Sequence, residues 1–190
     1  MKIFSGTANK PLAQNLATSL HLQLPEIEIH IFPDLEKRIR ILNNVVGEDC
    51  VVVQPTAPPV DQNYMELFFL VDAIKRSGAS KITVVMPYVG YQRQDHVFRS
   101  GEAVSLDVVI KTLEANGVNA FLAFDFHSIK TIELFSIPVI HLSALSLFAG
   151  VIKKQQWDNG AVLVSPDMGG KRRVKQLSLM LDNLPVVAIE

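Results

Sequence analysis

The chain has 190 residues, 48% hydrophobic and 19% charged, with 10 Gly and 10 Pro, a composition that excludes a disordered or fibrous protein and implies one buried domain with part of a second. Its formal net charge of −1, from 18 Lys+Arg against 19 Asp+Glu, provides no overall field for nucleic acid or anionic lipid, so neither is expected as a partner and any anion must be gripped locally. The single cysteine, Cys50, lies in the apolar run Cys50-Val51-Val52-Val53, where a buried, inert thiol is the ordinary outcome; this and the lack of a long apolar run lead to the expectation of a cytoplasmic protein with no membrane partner.

In chain order, the first residues read as strand-like and then helical over 11–20. An alternating strand follows at 27–31, and a buried apolar strand at 50–54. The stretch 61–77 has helical period, with Asp61 as its expected N-cap and its end near Gly78. Strand 82–86, helix 103–116, and strands 120–124 and 139–141 come next. Helix 143–155, strand 161–164, helix 169–181 and strand 186–189 complete the chain. Continuous apolar strands alternating with helices predict an α/β fold, a mostly parallel sheet flanked by helices on both faces. A boundary is expected near Leu142 to Leu145, giving an N-terminal domain over 1–143 and an incomplete second domain over 144–190, too short for a self-standing core.

In such sheets ligands bind beyond the carboxyl ends of the strands, which directs attention to four loops. After 82–86 stand Arg93, Gln94 and Asp95; Arg93 offers a planar fork that suits a phosphate or stacks on a base, and Asp95 could orient it, although an ordinary surface pair reads the same. After 120–124, Asp125 and His127 are two apart and would project to one side of an extended chain, toward one ligand, or His127 is simply hydrogen-bonded at a strand end. After 161–164, Ser165-Pro166-Asp167-Met168-Gly169-Gly170 leads into Lys171-Arg172-Arg173; two glycines and a helix start could admit an anion, with Asp167 as a metal ligand, or form a plain capped turn. After 27–31, Phe32 could stack on a base while Asp34 or Glu36 accepts from it or its ribose; a core Phe and helix-capping acids are the other reading.

Taken in this order, the loops resemble the ribose-phosphate diphosphokinase family, the phosphoribosyl pyrophosphate synthetases. The likeness is carried by Phe4-Ser5-Gly6, Phe32-Pro33-Asp34-Leu35-Glu36, Gln54-Pro55-Thr56, Asn63-Tyr64-Met65-Glu66-Leu67, Asp72-Ala73-Ile74-Lys75-Arg76, Pro87-Tyr88, Arg93-Gln94-Asp95, Asp125-Phe126-His127 and Ser165-Pro166-Asp167-Met168-Gly169-Gly170. The resemblance implies two domains of phosphoribosyltransferase type, ATP between them, and transfer of a diphosphoryl group from Mg-ATP to ribose 5-phosphate, giving phosphoribosyl pyrophosphate and AMP. It implies that Arg93, Gln94 and Asp95 hold ATP and that His127 and Asp167 help place Mg²⁺. Phe32, Asp34 and Glu36 would meet the adenine from a neighbouring subunit, which implies a homo-oligomer, a dimer-based hexamer.

There are departures from the family pattern. His96-Val97-Phe98 replace a cluster of charges, and Ser128-Ile129-Lys130 replace a glutamine-rich helix start. The family's catalytic Lys and Arg would lie beyond Glu190, and the chain has no adjacent Asp-Asp for a ribose 5-phosphate loop. The 190 residues by themselves are therefore expected to be inactive; the alternative expectation is a catalytically silent homologue that regulates active subunits.

Overall fold

The computed structural model describes residues 1–189, so Glu190 lies outside the described residues. The chain divides into two compact units, Met1–Leu142 and Ser143–Glu190. The first reads β1 (Lys2–Ser5), α1 (Lys10–Ser19), β2 (Ile27–Ile31), β3 (Lys37–Ile41), β4 (Asp49–Val53), α2 (Val60–Arg76), β5 (Lys81–Met86), α3 (Ser105–Asn116), β6 (Ala120–Phe124), a 3-10 helix (Ile129–Leu134) and β7 (Val139–Leu142).

Strands β1, β4, β5, β6 and β7 lie side by side in that order, every pairing parallel. One row of residues crosses the whole sheet in register, Phe4, Val52, Val84, Phe121 and Val139, and packs against the apolar stripe of α2 (Tyr64, Leu67, Leu70, Val71, Ile74) and against Leu106, Ile110 and Leu113 of α3. That stripe recurs at helical spacing, which is why 60–76 is a helix and why it docks by this face. On the opposite face Ile3 and Val53 meet Ala13 and Ala17 of α1, whose first turn is capped by the Asn9 side chain accepting from the Leu12 N–H at 3.1 Å. Helices thus cover both faces, and continuous apolar strands are the consequence. Cys50 is buried in the core, and burial pushes its thiol up, as an inert side chain requires.

The structure departs from the sequence expectations at particular places. Strand β3 was not foreseen: Lys37-Arg38-Ile39-Arg40-Ile41 alternates as β2 does, and it pairs antiparallel with β2 to form a hairpin separate from the parallel sheet. Ile27, Ile39 and Ile41 of this hairpin pack against the core. Asp61 is not the N-cap of α2; Pro59 holds that position without a side-chain bond, and Asp61 sits in the first turn, where its carboxylate accepts from the Tyr91 hydroxyl.

The second unit consists of α4 (Leu145–Lys154), β8 (Leu163–Ser165), α5 (Lys171–Met180) and β9 (Val186–Ala188). β8 and β9 pair in parallel, with Leu163 opposite Val186, and the Ser178 hydroxyl of α5 donates to the Leu184 carbonyl at 2.6 Å. No helix among the described residues is long and apolar enough to cross a membrane.

One polar group lies inside the apolar framework of the first unit. Glu66, on the same helical face as Asn63, Leu67 and Leu70, has no exposed surface. Its carboxylate accepts the Thr7 N–H at 2.6 Å, the Thr7 hydroxyl at 2.8 Å, the Gln54 side-chain amide at 3.2 Å and the Lys37 ammonium at 2.6 Å. Burial pushes this carboxyl up, but the Lys37 ammonium and the two Thr7 donors outweigh burial and hold it below its ordinary value. A lowered folded pKa contributes stability that is present above the unfolded value and is lost as pH falls through the folded one. Glu66→Gln should therefore destabilise the first unit by about 2–3 kcal/mol at neutral pH in urea unfolding, and the gap from wild type should shrink as pH drops below about 4, near the ordinary glutamate value. A gap that does not change with pH would mean that the charge is not what Glu66 contributes.

Candidate functional site

All five parallel strands end at the same edge, where the loop leaving β5 carries Arg93, Gln94 and Asp95 and the loop leaving β6 carries Asp125 and His127. Beyond β4, Thr56 is fully buried and clamps the loop beyond β5: its N–H donates to the Tyr88 carbonyl at 2.9 Å, and its hydroxyl oxygen accepts the Gly90 N–H at 2.7 Å. The Tyr64 hydroxyl donates to the Gly90 carbonyl at 2.9 Å, and burial pushes that hydroxyl well above its ordinary value, so it stays a donor. A Cβ at Gly90 would stand 2.6 Å from the Val60 side chain and 2.9 Å from the Thr56 carbonyl, so the loop passes where only glycine fits. Tyr91, at φ 62°, stacks on Tyr64 with ring centroids 5.8 Å apart.

Past this clamp the loop presents its polar residues outward. Arg93 and Gln94 are exposed, Asp95 is half-buried, and no carboxylate among the described residues pairs with Arg93. Asp95 instead meets His96, Oδ1 to Nδ1 at 2.6 Å, and the His96 ring lies against Phe98 at 3.9 Å, so the residues that replace the family's charges here form a local pair. The reading of Arg93 and Asp95 as a surface ion pair with each other therefore does not hold in this geometry.

The exit of β6 reaches this loop through a residue that the sequence reading passed over. The Gln92 side-chain oxygen accepts the His127 N–H at 2.9 Å, drawing 92–95 and 125–127 together. Asp125 adopts φ 43°, so the chain is not extended there and the one-sided projection expected for Asp125 and His127 does not apply. The Phe126 N–H donates to His141 Nε2 at 3.2 Å and the two rings stack, which leaves His127 exposed.

Phe32, Asp34 and Glu36 form the turn between β2 and β3. The Phe32 N–H donates to the Glu36 carbonyl and the Leu35 N–H to the Phe32 carbonyl, both at 2.9 Å, while one Asp34 carboxylate oxygen accepts the Glu36 N–H at 3.2 Å. Phe32 is neither core nor isolated: it is 36% exposed, with His30 edge-on at 4.6 Å and the Arg38 guanidinium 5.8 Å from its ring centre. Between this turn and the start of α2 runs an apolar groove of about 680 Å³, with Leu35, Glu36, Lys37, Asp61 and Met65 in its lining but not Arg93, Gln94, Asp95 or His127. Within one copy, that groove does not unite the two sets.

In the second unit Asp167 follows β8. Its Oδ1 accepts the Gly170 N–H at 2.6 Å, and the Ser165 hydroxyl donates to its carbonyl at 2.7 Å. The Gly170 N–H ahead of α5 is thus already engaged by the Asp167 side chain. Among the described residues no three His, Cys, Asp or Glu side chains gather into a ready-made metal site. Magnesium generally needs only one or two carboxylates, its remaining ligands being substrate phosphates and waters, and an exposed Asp167 with one oxygen not used by Gly170 suits that mode.

Residues 1–117 match the N-terminal domain of ribose phosphate pyrophosphokinase. The chain belongs to the ribose-phosphate pyrophosphokinase family. It is 40% identical over 180 residues to the ribose-phosphate pyrophosphokinase of Thermotoga maritima, covering 94% of this chain and 57% of that protein. With the Fusobacterium nucleatum ribose-phosphate pyrophosphokinase it shares 42% over 183 residues, covering 96% and 58%. The crystal structure of phosphoribosylpyrophosphate synthetase from Mycobacterium smegmatis superposes with a TM-score of 0.95 at 31% identity, over 99% of this chain and 63% of that one. The chain therefore spans less than two thirds of the length of these ribose-phosphate pyrophosphokinase relatives.

The clamp on the Arg93 loop can be tested without a ligand. Thr56→Val keeps the shape but leaves the buried Gly90 N–H without its acceptor, which should cost about 1–3 kcal/mol in urea unfolding and speed amide exchange over 88–95. Unchanged exchange in that loop would show that the backbone contacts alone hold it.

Proposed function

We propose that the chain supplies the ATP side of ribose-phosphate diphosphokinase chemistry, in which the diphosphoryl group of Mg-ATP passes to C1 of ribose 5-phosphate and AMP leaves. The observation that carries this reading is the junction made by Gln92: in a member of this family, it joins the loop of an outward-facing arginine to the loop of an exposed histidine beyond the carboxyl ends of two parallel strands. Arg93 is assigned to the phosphates, where its fork forms charge-assisted bonds, with Gln94 and Asp95 orienting the nucleotide. His127 in the first unit and Asp167 in the second are assigned to the metal side. Magnesium, when bound with the nucleotide, supplies neutralisation of phosphate charge.

Phe32, with Asp34 and Glu36, is assigned to the adenine of a neighbouring copy, which makes the working form a homo-oligomer, proposed as a dimer-based hexamer. Exposure of the Phe32 ring at a hairpin turn supports this role, since a ring held in place by His30 and Arg38 can stack on a base with little ordering cost. This chemistry asks the protein mainly to align groups and neutralise spreading charge, which fits a site built from clamped loops.

Arg93→Ala should weaken Mg-ATP binding by about 1–3 kcal/mol, the scale of a lost charge-assisted bond, measured by calorimetry. Equal affinity in a folded variant would remove Arg93 from the nucleotide site. For Asp167→Asn, affinity for Mg-ATP should fall more than tenfold while metal-free ATP changes by less than about threefold, because the carboxylate acts on the ion. Parallel losses with and without magnesium would leave Asp167 as a turn former only.

A further inference from the structure

The inward face of β3 carries Lys37, Ile39 and Ile41, with Arg38 and Arg40 exposed on the other face. Ile39 and Ile41 pack on the core, as a half-buried strand requires; Lys37 occupies the third inward position, where the pattern calls for another apolar side chain. It closes the hairpin opposite Ile31 and directly follows Glu36 of the turn. Packing holds the far end of the hairpin, through Ile27 and Ile41, but the near end is bare: Ile31 is 56% exposed and Leu35 75%. At this end the Lys37 ammonium reaches Glu66 at 2.6 Å, and the same carboxylate holds Thr7 beyond β1 and Gln54 beyond β4.

A partly buried ion pair is a poor source of net stability, because desolvation offsets most of the attraction; its better-attested use is to fix one arrangement among several. We infer that the Lys37–Glu66 pair is a positioning latch that sets the pose of the turn bearing Phe32, Asp34 and Glu36 relative to the sheet edge, and thereby determines the base selectivity of the nucleotide site. This rests on the assignment of that turn to the adenine. The latch touches no substrate; it acts through Glu36 and the turn, and the phosphate-side residues Arg93 and His127 are independent of it.

The test uses the 190-residue chain with Lys37→Met, with Lys37→Gln as a second variant whose shorter, neutral side chain removes the ion pair with Glu66 but stays polar, and with Lys37→Arg as the conservative rescue. Calorimetric titration with Mg-ATP, Mg-GTP and magnesium tripolyphosphate separates base from phosphate recognition. In Lys37→Met, Mg-ATP affinity should fall by about tenfold, the ATP-over-GTP preference should collapse, and tripolyphosphate binding should stay within about twofold. Lys37→Arg should restore most of the preference, and light scattering should show the same assembly throughout. Equal losses for all three ligands, or an ATP-over-GTP ratio unchanged in folded Lys37→Met or Lys37→Gln, would overturn the latch while leaving the nucleotide reading in place. Wild type that binds neither Mg-ATP nor magnesium tripolyphosphate would overturn the nucleotide reading itself, and the latch with it.

Discussion

A carboxylate without exposed surface is the constraint around which the first unit is arranged. Glu66 stands on the buried face of α2, where an isolated charge would be strongly penalised, and it is tolerated because four donors from three other segments converge on it. The exits of β1 and β4, the start of β3 and the middle of α2 therefore have one mutually compatible arrangement. Moving any of them leaves a buried acceptor or donor unsatisfied, and that penalty is what makes the arrangement specific.

The same logic recurs one strand further along. Thr56 and Tyr64 take up the backbone groups of the loop beyond β5, and Gly90 makes the close approach possible, so the polar residues that follow are displayed from a fixed base. Gln92 then transfers that fixity to the loop beyond β6 through the His127 N–H. The polar groups at the carboxyl edge of the sheet are thereby preorganised, held by backbone and buried side-chain bonds before anything binds. The second unit shows a different economy: at the turn beyond β8 the Asp167 carboxylate itself satisfies the Gly170 N–H, so the acid holds its own loop.

Much of this architecture was legible in the residues. Apolar runs without alternation announce a parallel sheet buried on both faces, because each strand must face a helix on either side, and the helical spacing of Tyr64, Leu67, Val71 and Ile74 identifies the face of α2 that docks. The loops to inspect follow from the strand ends. The acid at position 66 was a legible signal that went unused, since a Glu aligned with the apolar stripe of its helix needs partners. β3 was missed because its Lys and Arg mask an alternation as regular as that of β2.

What the sequence by itself determined was most of the elements, their mostly parallel order, and the ordered motifs that mark the family. It could not determine which donors meet Glu66, that Gln92 rather than a charged neighbour joins two loops, that Asp95 turns to His96, or that Asp125 leaves the extended region and cancels the one-sided projection of Asp125 and His127. Those outcomes join residues from one to more than fifty positions apart, or depend on a backbone dihedral that local preference leaves open. Periodicity reports which side of an element is buried, whereas the choice of hydrogen-bond partner is made by whatever polar groups the packed sheet edge brings within about 3 Å of one another, and only the tertiary structure specifies that.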